Sequence, residues 1–257
     1  MEKRNNLHPY GCTSVTFRSL DPFRIIQLST EVQADCIEWG SDVHATAEDQ
    51  NRLIRIAQQC AEQDLKICSL GSYYKCCQGL DPKKDFAALI HTAKILKAPV
   101  IRIWAGRTAS AQADELYFKA MVSEVRQCCD MAEQEGIIVA FEYHRRSLTD
   151  TADSAVSLLK AVNRNNCKTY WQPNPELSCM ENREELKKIL PWLCRVHVFS
   201  WLPDNTRLPL QKQEAEWKSY LQLIPDSIPL LIEFVKDDST EQFIEDMNTL
   251  RRWICAE

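Results

Sequence analysis

The sequence predicts a single-domain α/β protein, a (β/α)8 barrel spanning residues 1–257, on three observations. Eight short runs of strand composition alternate with longer segments of helical period, the order that demands a parallel sheet with helical crossovers. No Gly/Ser-rich or Pro-rich linker divides the 257 residues, a length that α/β barrels use for one core. No G-x-G-x-x-G follows any run, so a dinucleotide-binding open sheet lacks its phosphate loop, and eight repeats favour closure.

The elements follow in order. GCTSVTF (11–17) is the first strand run, and Asp21-Pro22 then places proline in a first helical turn. DCIEWG (35–40) and LKICSLG (65–71) come next, and Asp81-Pro82 opens the following helix in the same way. VIRIWAG (100–106) leads into a long helical segment from Ser110 that Gly136 closes. IIVAFEY (137–143) starts with five apolar residues and no turn signal, the composition of a strand covered on both faces. KTYWQPN (168–174), RVHVFSW (195–201) and PLLIEFV (229–235) complete the set. Ser239 followed three residues later by Gln242 reads as a capping box for the last helix.

Composition narrows the class of partner. A chain of this length buries roughly three quarters of its unfolded surface, so its core needs no disulfide support. The 12 cysteines fall mostly inside strand and helix patterns, with no CxxC pair. The start, MEKRNNLHPY, lacks a signal peptide pattern, which together with reduced core thiols predicts a cytoplasmic protein. The vicinal pairs Cys76/Cys77 and Cys128/Cys129 read as core filler before soft-metal or oxidant-sensing sites. A net charge of -5 argues against a nucleic-acid surface, and no apolar run approaches the roughly 20 residues of a membrane span. The expected partner is a small molecule, and the sequence leaves open association into a homo-oligomer.

A barrel carries its active site at the C-terminal ends of the strands. There the sequence places Glu142 and His144, Gln172 and Asn174, His197, and Glu233 on four successive strands. Period two puts Glu142 with His144 and Gln172 with Asn174 on faces that can point into the mouth. Glu233 lies among apolar residues, and a buried carboxylate needs a partner, a metal or a raised pKa. One divalent cation, Mn²⁺, Mg²⁺, Co²⁺ or Zn²⁺, answers for Glu142, Gln172, His197 and Glu233 together. The competing reading pairs the two glutamates with Arg145, Arg102 or a helix N-terminus and makes His197 a core histidine. His44, after the second strand, reads either as a substrate contact or as an exposed loop residue. Glu38 lines the mouth or bridges to Arg102. Tyr73, Tyr74, Trp104, Trp171 and Trp201 sit where aromatic rings stack on a sugar or plug a barrel. Of these, Tyr73, Trp104 and Trp201 join His144 and His44 as expected substrate contacts, whereas Lys75, at the end of strand 3, reads as solvated before it reads as a contact for an anionic group.

The motifs VTFR, IEWGSDVH (37–44), GSYY (71–74), FEYH, VHVFSW and LIEF span nearly the whole chain. Together they resemble the xylose-isomerase-like barrel superfamily, the sugar phosphate isomerase/epimerase group with its ketose 3-epimerases, hydroxypyruvate isomerase and inosose dehydratase. The resemblance implies a metal held by Glu, Asp, His and Glu from strands 5 to 8. Glu142, His197 and Glu233 match, while Gln172 stands where the family usually has Asp. It also implies that Glu142 and Glu233 act as the acid/base pair of an isomerase or epimerase on a small keto-sugar or polyol, through an enediolate. The basic residue that such epimerases use after strand 7 is not evident in WLPDN. The alternatives are an inosose-type dehydratase and a non-catalytic sugar-binding barrel. A phosphodiesterase resembling endonuclease IV is more remote, since that branch needs more zinc ligands than five histidines support.

Overall fold

Strand β1 (Tyr10–Thr13) pairs in parallel with β2 (Cys36–Gly40), and the ladder runs on in chain order. It continues through β3 (Lys66–Lys75), β4 (Val100–Trp104), β5 (Ile138–Phe141), β6 (Cys167–Trp171) and β7 (Leu193–Val198). Strand β8 (Leu230–Ile232) then pairs with β1, closing the barrel. The computed structural model describes residues 8–79 and 81–255; the first seven residues, part of the segment read for a leader, lie outside these. No helix among the described residues is long and apolar enough to cross a membrane.

Among the described residues eight α-helices form the outer layer, and seven of them are opened by a capping side chain, α7 (Glu214–Leu221) being the exception. Asp21 accepts from the Phe23 amide at the start of α1 (Pro22–Glu31), and Asp81 from the Lys84 amide at α3 (Pro82–Leu96), as the Asp-Pro pairs predict. Asp49 and Asp114 do the same for α2 (Gln50–Glu62) and α4 (Glu115–Glu133), and Thr151 for α5 (Ala152–Val162). The reciprocal capping box is at Ser178 and Glu181 of α6 (Cys179–Ile189). At α8 (Thr240–Ile254), after α7 (Glu214–Leu221), Ser239 accepts from the Gln242 amide, but the Gln242 side chain turns to Asp246, so only half of that box forms. Gly136 adopts φ +66° three residues past α4, the left-handed turn expected of it.

Two differences from the sequence expectation bear on the site. The first run is a strand only to Thr13; Ser14–Phe17 forms a 3-10 turn. Its hydroxyls bond elsewhere: Ser14 accepts from the Gly40 amide at 2.9 Å, and Thr16 from the Phe234 amide at 3.2 Å. Strand β3 instead runs past Gly71 to Lys75, with a register shift against β4. Cysteines behave as core filler: no disulfide links the described residues, and burial pushes the Cys12, Cys60 and Cys128 thiols up to about 12.

Candidate active site and metal centre

Glu142 and Glu233 each stand one residue past a strand, yet their amides remain in the ladder. Glu142 donates to the Ile103 carbonyl at 2.8 Å and Glu233 to the Val198 carbonyl at 3.0 Å. The sheet therefore aims both carboxylates. One ligand atom from each of Glu142, His197 and Glu233 falls within 4.8 Å of the others, and all three residues are buried. Gln172 joins them, with Oε1 3.1 Å from His197 Nδ1, and Glu233 Oε2 lies 3.3 Å from the same nitrogen. Two carboxylates, an imidazole and an amide oxygen form a mixed O/N donor set that fits a divalent cation of the Mg²⁺ to Zn²⁺ range.

The other edge of the His197 ring faces Glu38, with Nε2 3.5 Å from Oε1. Burial pushes this imidazole down in pKa, but Glu233 and Glu38 outweigh it and bring the group to about 9. A divalent cation held by Glu142, Gln172, His197 and Glu233 would bind the neutral imidazole, with Glu38 beside the other edge of the ring as the kind of carboxylate that orients a metal-binding histidine. Glu38 is itself the hub of the barrel interior. It accepts from Arg102 Nε at 3.1 Å, Ser69 Oγ at 2.8 Å and Tyr170 Oη at 2.7 Å. Burial raises its pKa, yet Arg102, then His197 and Tyr170, hold the carboxyl far below the usual range. Of its two readings, the bridge to Arg102 is the one observed. Arg102 also donates through Nη1 to Glu142, so a single guanidinium ties two carboxylates together. Gly71 makes room for this pair: a Cβ there would lie 2.6 Å from Glu38 Oε1 and 2.8 Å from Arg102 Nη2.

Above these residues opens a cavity of about 230 Å³ whose lining includes Tyr73, Trp104, His144, Gln172 and Trp201 together with both glutamates. His144 stacks on Trp104 with ring centroids 4.2 Å apart and its Nδ1 is bonded to the Arg145 carbonyl at 2.6 Å. Burial, the largest influence, holds its pKa below that of an ordinary histidine. Trp201 packs between Phe199 and Phe234, at 4.8 and 5.9 Å. His44 is not brought to the cavity. It is fully buried, with one ring nitrogen 3.1 Å from Ser14 Oγ and the other 3.1 Å from the Leu20 carbonyl, so it holds the Ser14–Phe17 turn rather than the mouth. Tyr74 and Trp171 also face away, Tyr74 donating to Glu124 at 2.7 Å and Trp171 packing on Trp217 and Tyr220.

Sequence reasoning treated Arg102 only as a partner for the glutamates, although it lines the cavity. Its signal was present: Val100, Arg102 and Trp104 share one face of an otherwise apolar strand. Phe234, at φ +56° directly after Glu233, carried no such signal. A left-handed aromatic is strained backbone of the kind that gathers at functional sites.

A closed eight-stranded parallel barrel with a Glu/His/Glu cluster at its mouth defines a class, and the chain belongs to it: the profile of the xylose isomerase-like TIM barrel family matches residues 26–250. Within that class it is similar to a 3-dehydroshikimate dehydratase of Bacillus anthracis, 24% identical over 201 residues, which are 73% of this chain and 70% of that protein. Among solved structures, the probable 3-DHS dehydratase AsbF of Bacillus anthracis superposes with a TM-score of 0.82 at 19% identity, covering 94% of this chain and 98% of that one. D-psicose 3-epimerase of Clostridium cellulolyticum H10, solved with D-tagatose, superposes with a TM-score of 0.73 at 14% identity, over 96% and 99% of the two chains. At these identities the structural likeness carries the fold alone.

Proposed function

We propose that this protein is a metal-dependent isomerase or epimerase of a small keto-sugar or polyol, acting by proton abstraction from carbon next to a carbonyl. The observation that carries the reading is the convergence of Glu142 and Glu233 with His197 beneath a cavity walled by aromatic rings. When held by Glu142, Gln172, His197 and Glu233, a divalent cation supplies Lewis-acid stabilisation to the oxygen that gains charge as the proton leaves.

The chain's own residues do the rest. A base must be ionised at working pH; burial works against Glu233, but His197 and then Arg102 hold its carboxyl below the ordinary range. One carboxylate removes the proton from one side of the carbon framework, and the other returns a proton. Arg102 keeps the Glu142 carboxylate in place, and Glu38 keeps His197 in place. Trp104 and Trp201 offer faces to the apolar side of a sugar and shed water from it, while Tyr73 and His144 contribute polar edges.

A second reading, dehydration of a cyclic hydroxy-ketone, is favoured by the likeness to 3-dehydroshikimate dehydratase. It begins with the same proton abstraction and differs in that a β-hydroxyl leaves. The experiment is solvent exchange. In D₂O with the metal-loaded protein, a true substrate gains deuterium at the carbon next to its carbonyl. Glu142→Gln and Glu233→Gln each cut that exchange by about two orders of magnitude or more, with metal occupancy measured alongside. Product analysis separates an epimer from an unsaturated ketone. A panel of ketoses and inososes that bind yet show neither exchange nor conversion would leave only a sugar-binding barrel.

A further inference from the structure

Two cysteines on the N-terminal face of the barrel differ from those that fill its core. A cavity of about 560 Å³ opens on that face, away from the mouth, and its lining includes Cys36, Lys66, Cys68 and Arg195. Cys36 and Cys68 pack with Leu231 as a cluster of their own, apart from the main core. Cys68 is 6% exposed and Cys36 3%, whereas Cys12, Cys76 and Cys129 are fully buried.

An irregularity in the ladder places Cys68 there. Cys36 pairs with Lys66 and Ile37 with Ile67, but Glu38 pairs with Ser69, so Cys68 is the extra residue of a β-bulge. Its sulfur lies 3.3 Å from the Ile37 carbonyl and 3.6 Å from Ser69 Oγ. Beside the bulge stands a cation without a carboxylate. Arg195 donates from Nη2 to the Cys68 carbonyl at 2.9 Å and from Nη1 to the Cys194 carbonyl at 2.5 Å. Its Nε is buried and has no hydrogen-bond partner, and among the described residues no carboxylate forms an ion pair with it. The acids at the rim of the cavity turn elsewhere, Asp35 accepting from the Tyr10 amide and Asp226 facing His8.

A cation withdrawn from water needs a counter-charge, and a thiolate at Cys68 can supply it. Burial works against that ionisation, but the Cys36 thiol and then Arg195 outweigh it and hold Cys68 below the ordinary thiol value. The contact with Cys68, and burial, push Cys36 well above it. One thiol of the pair is thereby the nucleophile, and the other keeps its proton.

We propose that Cys68 is a modification site for hydrogen peroxide or another small hydroperoxide, with Cys36 as its resolving thiol. The Cys68 thiolate attacks one oxygen of the peroxide and the O–O bond breaks; the sulfur is oxidised to a sulfenic acid and the second oxygen leaves as hydroxide. The Cys36 sulfur then displaces hydroxide from the sulfenic acid, its own proton leaves with that hydroxide as water, and a disulfide joins β2 to β3. None of the residues at the mouth takes part, so the step is independent of the reaction proposed above. The modified residue adjoins Ser69, which donates to Glu38 at 2.8 Å, and so lies under the network that holds His197.

The test treats the reduced full chain with hydrogen peroxide at neutral pH, quenches it with an alkylating reagent at timed intervals, and maps every cysteine by peptide mass spectrometry. Cys36 and Cys68 should leave the alkylated pool together, as one disulfide-linked pair of peptides, before the more exposed Cys77, Cys179 and Cys255 react. A thiol reductant should restore both. Cys36→Ser should stop the reaction at a Cys68 sulfenic acid that dimedone captures, and Cys68→Ser should leave Cys36 reduced. Arg195→Gln should slow oxidation of Cys68 about tenfold, the scale on which a neighbouring cation changes a thiol's ionised fraction, while Arg195→Lys retains most of the rate. Melting temperatures check each variant; should Arg195→Gln fold poorly, the order of oxidation in the parent and dimedone capture in Cys36→Ser decide the site without it. Oxidation of Cys77, Cys179 and Cys255 ahead of Cys68, or a Cys68 that oxidises without linking to Cys36, would overturn the proposal. An undiminished rate in folded Arg195→Gln would overturn Arg195 as the counter-charge.

Discussion

Glu38 and His197 face each other inside the barrel, Oε1 to Nε2 at 3.5 Å, while Nδ1 of the same ring points to Gln172 and Glu233. The carboxylate thereby decides which ring nitrogen is offered to a ligand at the mouth. Glu38→Gln should weaken Mn²⁺ binding by about 10- to 100-fold, the usual effect of losing such an orienting partner. It should also destabilise the fold by about 3 kcal/mol, because buried Arg102 keeps only Glu142 as a counter-charge. Calorimetry and urea unfolding check the two effects, and unchanged metal affinity in a folded variant would show that His197 is oriented by something else.

Gln172 is the neutral member of the donor set. Restoring a carboxylate with Gln172→Asp should tighten metal binding by roughly tenfold, the Coulomb gain of one charge after screening and desolvation. Weaker metal binding in the folded variant would mean that the side chain at 172 points elsewhere, with the neighbouring Asn174 as the next candidate.

Gly71 lies against the ion pair at the centre of the barrel. The Cβ of Gly71→Ala would sit under 3 Å from both Glu38 Oε1 and Arg102 Nη2, two side chains pinned by other bonds. Relief requires moving a fully buried charge pair, so the variant should lose about 2–4 kcal/mol in urea unfolding. A loss below about 0.5 kcal/mol would show that the pair relaxes freely.

Asp246 on α8 supplies a pH dependence remote from the site. It is buried, accepts from the Leu210 amide at 2.8 Å and from Gln242 at 2.9 Å, and burial pushes its pKa from 3.8 up to about 6. The folded state therefore holds a proton that the unfolded chain releases between these values. The stability this group contributes is complete below about pH 4 and is lost as pH rises through 6. Asp246→Asn keeps an acceptor oxygen and removes the charge, so it should melt higher than the parent at pH 7, by roughly 1–3 kcal/mol, with the difference vanishing near pH 4. A difference independent of pH would rule out desolvation of the carboxylate as its origin.

The alternation of eight apolar runs with capped helices was legible in the sequence because each element declares itself locally, through period and through residues such as Asp21, Asp81 and Gly136. The strand-end residues Glu142, Gln172, His197 and Glu233 were legible for the same reason: in a closed barrel, the last positions of neighbouring strands must meet. Which way a side chain turns was not always legible. Period two does hold along β3, where Tyr73 reaches the cavity on the face of Ser69 and Gly71 while Tyr74 turns to Phe86 on the outside. His44 was misplaced because its ring found two buried partners, the Ser14 hydroxyl of the 3-10 turn and the Leu20 carbonyl just beyond it. The choice between Glu38 as a mouth residue and Glu38 as the counter-charge of Arg102 belonged to tertiary structure alone, since the two lie 64 positions apart and meet only once the barrel sets their strands on a shared interior. Local propensity and period determine which elements form; long-range closure, which brings charges together out of water, determines which of them bind each other and which remain free for a ligand.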